Sequence, residues 1–155
     1  MKNRRKTHLA IDLGASSGRV MAGHHDGGRL EIEEVARFAN SGVELSDGWH
    51  WDAEGLFEEI KKGLATAAER FGDDIVSVAV DTWGVDYVIL DEAGEPLNPP
   101  WMYRDSRTDG LMNKASKTLG PDRLWERTGI QPMFFNTIYQ LMSEVARNGN
   151  RLRKA

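Results

Sequence analysis

The sequence predicts an α/β fold, with helices packed on a layered, mixed sheet. Three observations carry that expectation. Short apolar runs near the start alternate with hairpin-type turns, so the first three strands are able to pair antiparallel. An amphipathic helix follows, and then Ile75–Val80, "IVSVAV", apolar almost throughout and rich in β-branched residues. Beyond "PLNPP" the pattern turns helical.

Leu9–Leu13, apolar on either side of Asp12, predicts the first strand, and Arg19–Gly23 the second. "DGG" at Asp26–Gly28 predicts a turn into a third strand over Leu30–Phe38. Asp52 is placed to cap a helix in which Leu56, Phe57, Ile60, Leu64, Ala67, Ala68 and Phe71 recur at helical spacing. Glu58 and Lys62 form an i,i+4 pair on its outer face. Ile75–Val80 predicts a strand covered on both faces, and therefore parallel to a neighbour. Tyr87–Leu90 predicts another strand, ending at "DEAGE". Ser106–Leu119 (with Ser106 as N-cap), Asp122–Arg127 and Thr137–Arg147 predict helices, broken by Gly120–Pro121 and Gly129–Pro132.

A length of 155 residues suits one domain with a real core. Hydrophobic content of 40% with 28% charged residues excludes a disordered chain. The net charge of -4 argues against a nucleic-acid partner. Basic residues collect at Lys2, Arg4, Arg5 and Lys6, and at Arg147, Arg151, Arg153 and Lys154, expected as solvated ends. Without cysteine there is neither a disulfide nor a thiolate zinc site. No apolar run approaches the roughly 18 residues of a membrane span, and no signal peptide or lipidation signal is evident, so no membrane partner and a cytoplasmic location are expected. His8, His24, His25 and His50 are not at ligand spacing and are expected at the surface.

"DLGASSGR" places glycines, alanine and serines where two strands meet. A turn that approaches a phosphate needs small residues, because its N–H groups hold the anion and Cβ atoms would stand in the way. Arg19 adds charge-assisted hydrogen bonds, and Asp12 suits a hydrated Mg²⁺. A tight hairpin whose aspartate bonds its own turn would use the same residues, and the stretch alone leaves both readings open. Neither G-x-x-x-x-G-K-[ST] nor G-x-G-x-x-G occurs. "DTWGVDY" at Asp81–Tyr87 follows a strand, where sheets place ligands. Trp83 offers a platform for a sugar face, Gly84 a close backbone approach and Asp86 a hydroxyl acceptor, although core, bulge and turn roles fit equally. "YRDSRT" at Tyr103–Thr108 favours structural ion pairs, and Trp49 and Trp51 are either a lid or packing.

In this order "AIDLGASSGRV", "WDAEGL", "VAVDTWGVDYVILDEAG", "YRDSRTDGLM" and "RTGIQPMFFNTIYQL" resemble the N-terminal lobe of the FGGY carbohydrate kinases. Those enzymes have ribonuclease H-like lobes similar to actin and the Hsp70 ATPase domain. The resemblance runs from His8 to Arg147. The first motif marks only the superfamily, whereas "DTWGVDY", "YRDSRT" and "GIQPMFFNT" resemble the branch acting on L-rhamnulose. It implies ATP phosphates on Ala15, Ser16, Ser17, Gly18 and Arg19, Mg²⁺ on Asp12 through water, and the sugar at Gly84 with Trp83 and Asp86. The implied reaction is ATP-dependent phosphorylation of L-rhamnulose at its 1-hydroxyl, giving L-rhamnulose 1-phosphate in rhamnose catabolism. Glycerol-phosphorylating relatives carry an arginine–glutamate pair where this sequence has Gly84–Val85, so glycerol is not expected. A xylulose- or fuculose-type kinase, or a non-catalytic binding or regulatory domain of the same fold, are the alternatives. The resemblance also implies a basic extension over 1–7 and a partial, truncated kinase domain over 8–155, with the mixed sheet in 8–91 and a helical segment in 104–148. The general-base aspartate is then expected beyond residue 155, in a missing C-terminal lobe, with Asp81 not that base and the fragment inactive alone.

Overall fold

A computed structural model describes residues 6–120, 122–149 and 151–155. The expected basic residues Lys2, Arg4 and Arg5, and the breaker Pro121, lie outside the described residues. The chain divides into two compact units: the described part of Met1–Ser41 with Asp52–Gly84, and Gly42–Trp51 with Val85–Ala155.

The first unit is a four-stranded sheet with one long helix. Strands β1 (Lys6–Leu13), β2 (Ser17–His25) and β3 (Leu30–Ala39) pair antiparallel in sequence, each longer than its apolar run because ladder pairing extends into the flanking polar residues. The β2–β3 turn closes as expected: Asp26 Oδ1 accepts from the Gly28 and Arg29 amides, and Gly27 takes a φ of 100°. Helix α1 (Ala53–Phe71) starts at Asp52, whose side chain accepts from the Gly55 amide. Leu56, Ile60 and Leu64 pack on Ile11, Val20 and Phe38, and Ala67 joins Leu9 and Ala22. Phe57, by contrast, is exposed. On the outer face the ion pairs are Lys61–Glu58 and Lys62–Glu59, at i,i+3 spacing, rather than Glu58–Lys62.

Strand β6 (Ile75–Thr82) pairs parallel with β1, giving the sheet order β3-β2-β1-β6. Its expected cover on both faces is absent among the described residues: Val76, Val78 and Val80 are 51%, 55% and 60% exposed. The reason is position, because β6 is an edge strand and α1 packs on β2 and β3.

The second unit carries the short hairpin β4 (Val43–Leu45) and β5 (Gly48–His50), helix α2 (Leu111–Leu119), the short helix α3 (Arg123–Thr128) and α4 (Thr137–Asn148). Tyr87–Leu90 forms no strand. It makes only an isolated antiparallel bridge of Leu90 with Pro96: the Ile89 carbonyl takes the Leu97 amide, and Asp91 Oδ1 takes those of Ala93 and Glu95 in the turn that follows. The expected Ser106–Leu119 helix is split, because Gly110 adopts a φ of 75° between a 3-10 turn at Ser106–Thr108 and α2. Asp105, not Ser106, caps that turn by accepting from the Arg107 amide.

This unit's interior is unusually polar. Trp51, Trp101 and Tyr139 are buried together with His50, Asp105, Arg107, Gln140 and Glu144. The His50 ring stacks on Trp101 at 4.0 Å, and the guanidiniums of Arg107 and Arg147 lie 4.8 and 5.2 Å from the same indole. Two surface expectations are therefore corrected. His50 and His24 are buried, His24 because it alternates inward on β2 and hydrogen-bonds Thr7 and Glu33. The C-terminal cations are not simply solvated, since Arg147 covers Trp101 and Arg151 pairs with buried Glu144 at 2.9 Å.

Candidate functional site

Ala15 and Ser16 occupy the turn between β1 and β2, and Ser17, Gly18 and Arg19 open β2. The Gly14 amide closes the turn on the Ser17 carbonyl at 3.0 Å. Asn40, at the end of β3 and buried, holds the turn from below: its amide donates to the Ser16 carbonyl and its Nδ2 to the Gly14 carbonyl. Carbonyls are thus consumed while the N–H groups of Ala15 and Ser16 meet no acceptor among the described residues. Gly18 has a packing reason as well, because a Cβ there would lie 2.1 Å from Phe38 Cε2.

Register sets the charges beside this turn. Asp81, Asp12, Arg19 and Arg37 are neighbours across β6, β1, β2 and β3. Asp12 and Arg19 form an ion pair at 2.7 Å, both partly exposed, and the Arg19 Nε is a buried donor without an acceptor. Three residues back along β3, hydrogen bonding to Arg37 holds Glu34 below the usual carboxylate range, assisted by the charges of Arg37 and Arg19. The arrangement offers backbone and guanidinium donors to an anion, with carboxylates alongside.

Trp83 is half-buried and Gly84 exposed, and Asp86 follows two residues on. Asp86 is a hub. Its Oδ2 accepts from Trp51 Nε1 at 2.5 Å and from the Tyr103 amide at 3.2 Å, and its Oδ1 from Gln140 Nε2 at 2.8 Å. The expected hydroxyl acceptor is therefore already engaged by protein donors. In "YRDSRT" the structural reading holds, with Asp105 accepting the amides of Trp49 and Arg107. Trp51 belongs to the core at 2% exposure, whereas Trp49 is 41% exposed. No group of three or more metal-ligating side chains occurs among the described residues, and no described helix is long and apolar enough to cross a membrane.

Sequence reasoning missed Asn40, Thr137 and Gln140. Asn40 lies 26 residues from the carbonyl it holds, and Gln140 lies 54 from Asp86, so no local pattern could have joined them.

The fold is shared with solved sugar kinases. Gluconate kinase from Lactobacillus acidophilus overlays with a TM-score of 0.82 at 12% identity, covering 97% of this chain and 30% of that one. Ligand-bound xylulose kinase from the same species gives 0.79 at 12% identity, with 97% and 30% covered. These overlays define the class: an α/β lobe of the sugar-kinase fold, mixed-sheet with flanking helices. Residues 7–145 match the model of the FGGY family of carbohydrate kinases, N-terminal domain, and the chain belongs to that family. Among curated proteins it is 42% identical over 148 residues to a rhamnulokinase of Oceanobacillus iheyensis, covering 96% of this chain and 31% of that protein. It is 46% identical over 140 residues to a rhamnulokinase of Klebsiella pneumoniae, covering 88% and 28%. The chain thus spans about three-tenths of the length of these relatives.

Proposed function

We propose that this chain supplies the phosphate-gripping and part of the sugar-binding surface of an ATP-dependent kinase that phosphorylates the 1-hydroxyl of L-rhamnulose. The observation that carries the proposal is the β1–β2 turn, whose carbonyls are tied down while the Ala15 and Ser16 amides and Arg19 Nε have no acceptor among the described residues. Those donors fit a polyphosphate, and Asp12, a partly exposed carboxylate, fits a cation that retains several waters. Bound Mg²⁺ would supply charge neutralisation on the transferring phosphoryl group.

In this reading Ala15, Ser16, Ser17 and Gly18 line the phosphate turn, and Arg19 donates to a phosphoryl oxygen. Asp12 orients metal-bound water. Gly84 admits the sugar to the backbone: its conformation requires no glycine, and a Cβ would meet nothing within 4 Å. Trp83 flanks that approach, and Asp86 acts as its anchor rather than as a free hydroxyl acceptor. The general base is assigned to none of these residues. Loss of a positioned base typically costs about 10²–10⁴ in rate, so residues 1–155 by themselves are expected to give no turnover.

The test compares kcat/KM for L-rhamnulose, D-xylulose and L-fuculose in the whole gene product. A preference for L-rhamnulose of about tenfold or more is expected, the scale on which one pocket contact discriminates. Equal or greater efficiency on either other ketose would remove the substrate assignment, and Asp12→Asn with unchanged kcat would remove the metal-side role.

A further inference from the structure

Neither "YRDSRT" nor "FFNTIYQ" has a role in the reading above, yet the Tyr103 amide and the Thr137 and Gln140 side chains converge on the two residues that follow Gly84, with the Arg107 side chain on Gln140. Gln140 is fully buried on α4. Its Nε2 lies 2.8 Å from Asp86 Oδ1, 3.2 Å from the Val85 carbonyl and 3.0 Å from the Phe135 carbonyl. A glutamine amide can face either way, and Arg107 settles the direction. A guanidinium only donates, so its hydrogen bond to Gln140 fixes Oε1 toward Arg107 and turns the NH₂ to Asp86 and Val85. Arg107 is itself held, with NH1 on the Met102 carbonyl and its guanidinium over Trp101. Thr137, the first residue of α4, adds a second donor to the Val85 carbonyl at 2.6 Å.

Val85 and Asp86 are therefore gripped from Trp51, Tyr103, Thr137 and Gln140 at once. The peptide joined to them carries Gly84, a glycine required neither by its φ nor by its neighbours. Rigidity of this order beside a residue with no structural need to be glycine has a use in presenting that backbone to a ligand. We infer that Thr137 and Gln140, with Arg107 behind them, are positioning residues that set the Gly84 backbone for the sugar. The inference rests on the sugar-kinase reading and deepens it. A displacement of about 1 Å at a reacting centre can cost about 10² in rate, so small losses of this grip should be measurable.

Thr137→Val keeps the shape and removes the donor, whereas Thr137→Ser restores it. In the whole gene product, Thr137→Val should raise the KM for L-rhamnulose about tenfold, the loss of one hydrogen bond of about 1.4 kcal/mol. The KM for ATP should stay within about twofold, and Thr137→Ser should recover the wild-type sugar KM. Gln140→Met should show the same split with a larger sugar effect. If Gln140→Met fails to fold, the Thr137 pair carries the test alone. An unchanged sugar KM in Thr137→Val, equal losses for sugar and ATP, or no rescue by Thr137→Ser would each overturn the positioning role while leaving wild-type turnover intact. Wild-type protein that phosphorylates none of the ketoses would instead overturn the kinase reading and this inference with it.

Discussion

The β1–β2 turn and the Gly84–Asp86 segment both present small residues beside a strand end, but they are held in opposite ways. The turn is fixed mainly by its own backbone, with Gly14 closing on Ser17 and Asn40 added from the end of β3. The second segment makes no ladder, and its polar groups are taken by the side chains of Trp51, Thr137 and Gln140 and by the Tyr103 amide, from three distant regions of the sequence. A local hairpin can thus be built from eight residues, whereas a loop without a ladder needs partners recruited from far along the sequence. Their glycines differ in the same sense: Gly18 is demanded by Phe38, whereas a Cβ at Gly84 would meet nothing within 4 Å among the described residues.

Three substitutions would break or sharpen that contrast. Asp86→Ala should have the largest effect on stability, about 3 kcal/mol in denaturant titration, because three protein donors lose their acceptor. A loss under about 1 kcal/mol would mean that the segment is held by something other than this carboxylate. Gly18→Ala should cost about 2 kcal/mol, since the new methyl group meets the Phe38 ring inside the core; unchanged stability would show that the ring moves aside at little cost. Gly84→Ala should change stability least, by under about 0.5 kcal/mol, while weakening sugar binding in the whole gene product. A clear stability loss there, with sugar KM unaltered, would make Gly84 an ordinary structural glycine.

What was legible in the sequence follows the same division. β1, β2, β3, α1 and α4 could be placed because their periodicity and caps are local: Asp52 opens α1 and "DGG" closes the β2–β3 turn. The strand β6 was also legible from its apolar, β-branched run; its parallel direction was expected from cover on both faces and holds although that cover is absent, because burial depends on what covers a strand. Tyr87–Leu90 carries strand-like residues, but the turn that Asp91 closes brings only Leu90 into a bridge, with Pro96, and no ladder follows. At the candidate site, the residues of the turn were readable. Its Asn40 brace and the engagement of Asp86 by Trp51, Tyr103 and Gln140 were not, since those contacts join positions tens of residues apart.

The outer rim of β6 has a practical consequence. Over Ile75–Val80 it is an uncharged run rich in β-branched residues at the edge of a sheet, open on its far side among the described residues. Such rims template strand addition by other chains, and this one carries no proline or lysine within "IVSVAV" to discourage it. At high concentration the isolated chain will therefore stack with copies of itself, and light scattering belongs ahead of any ligand titration.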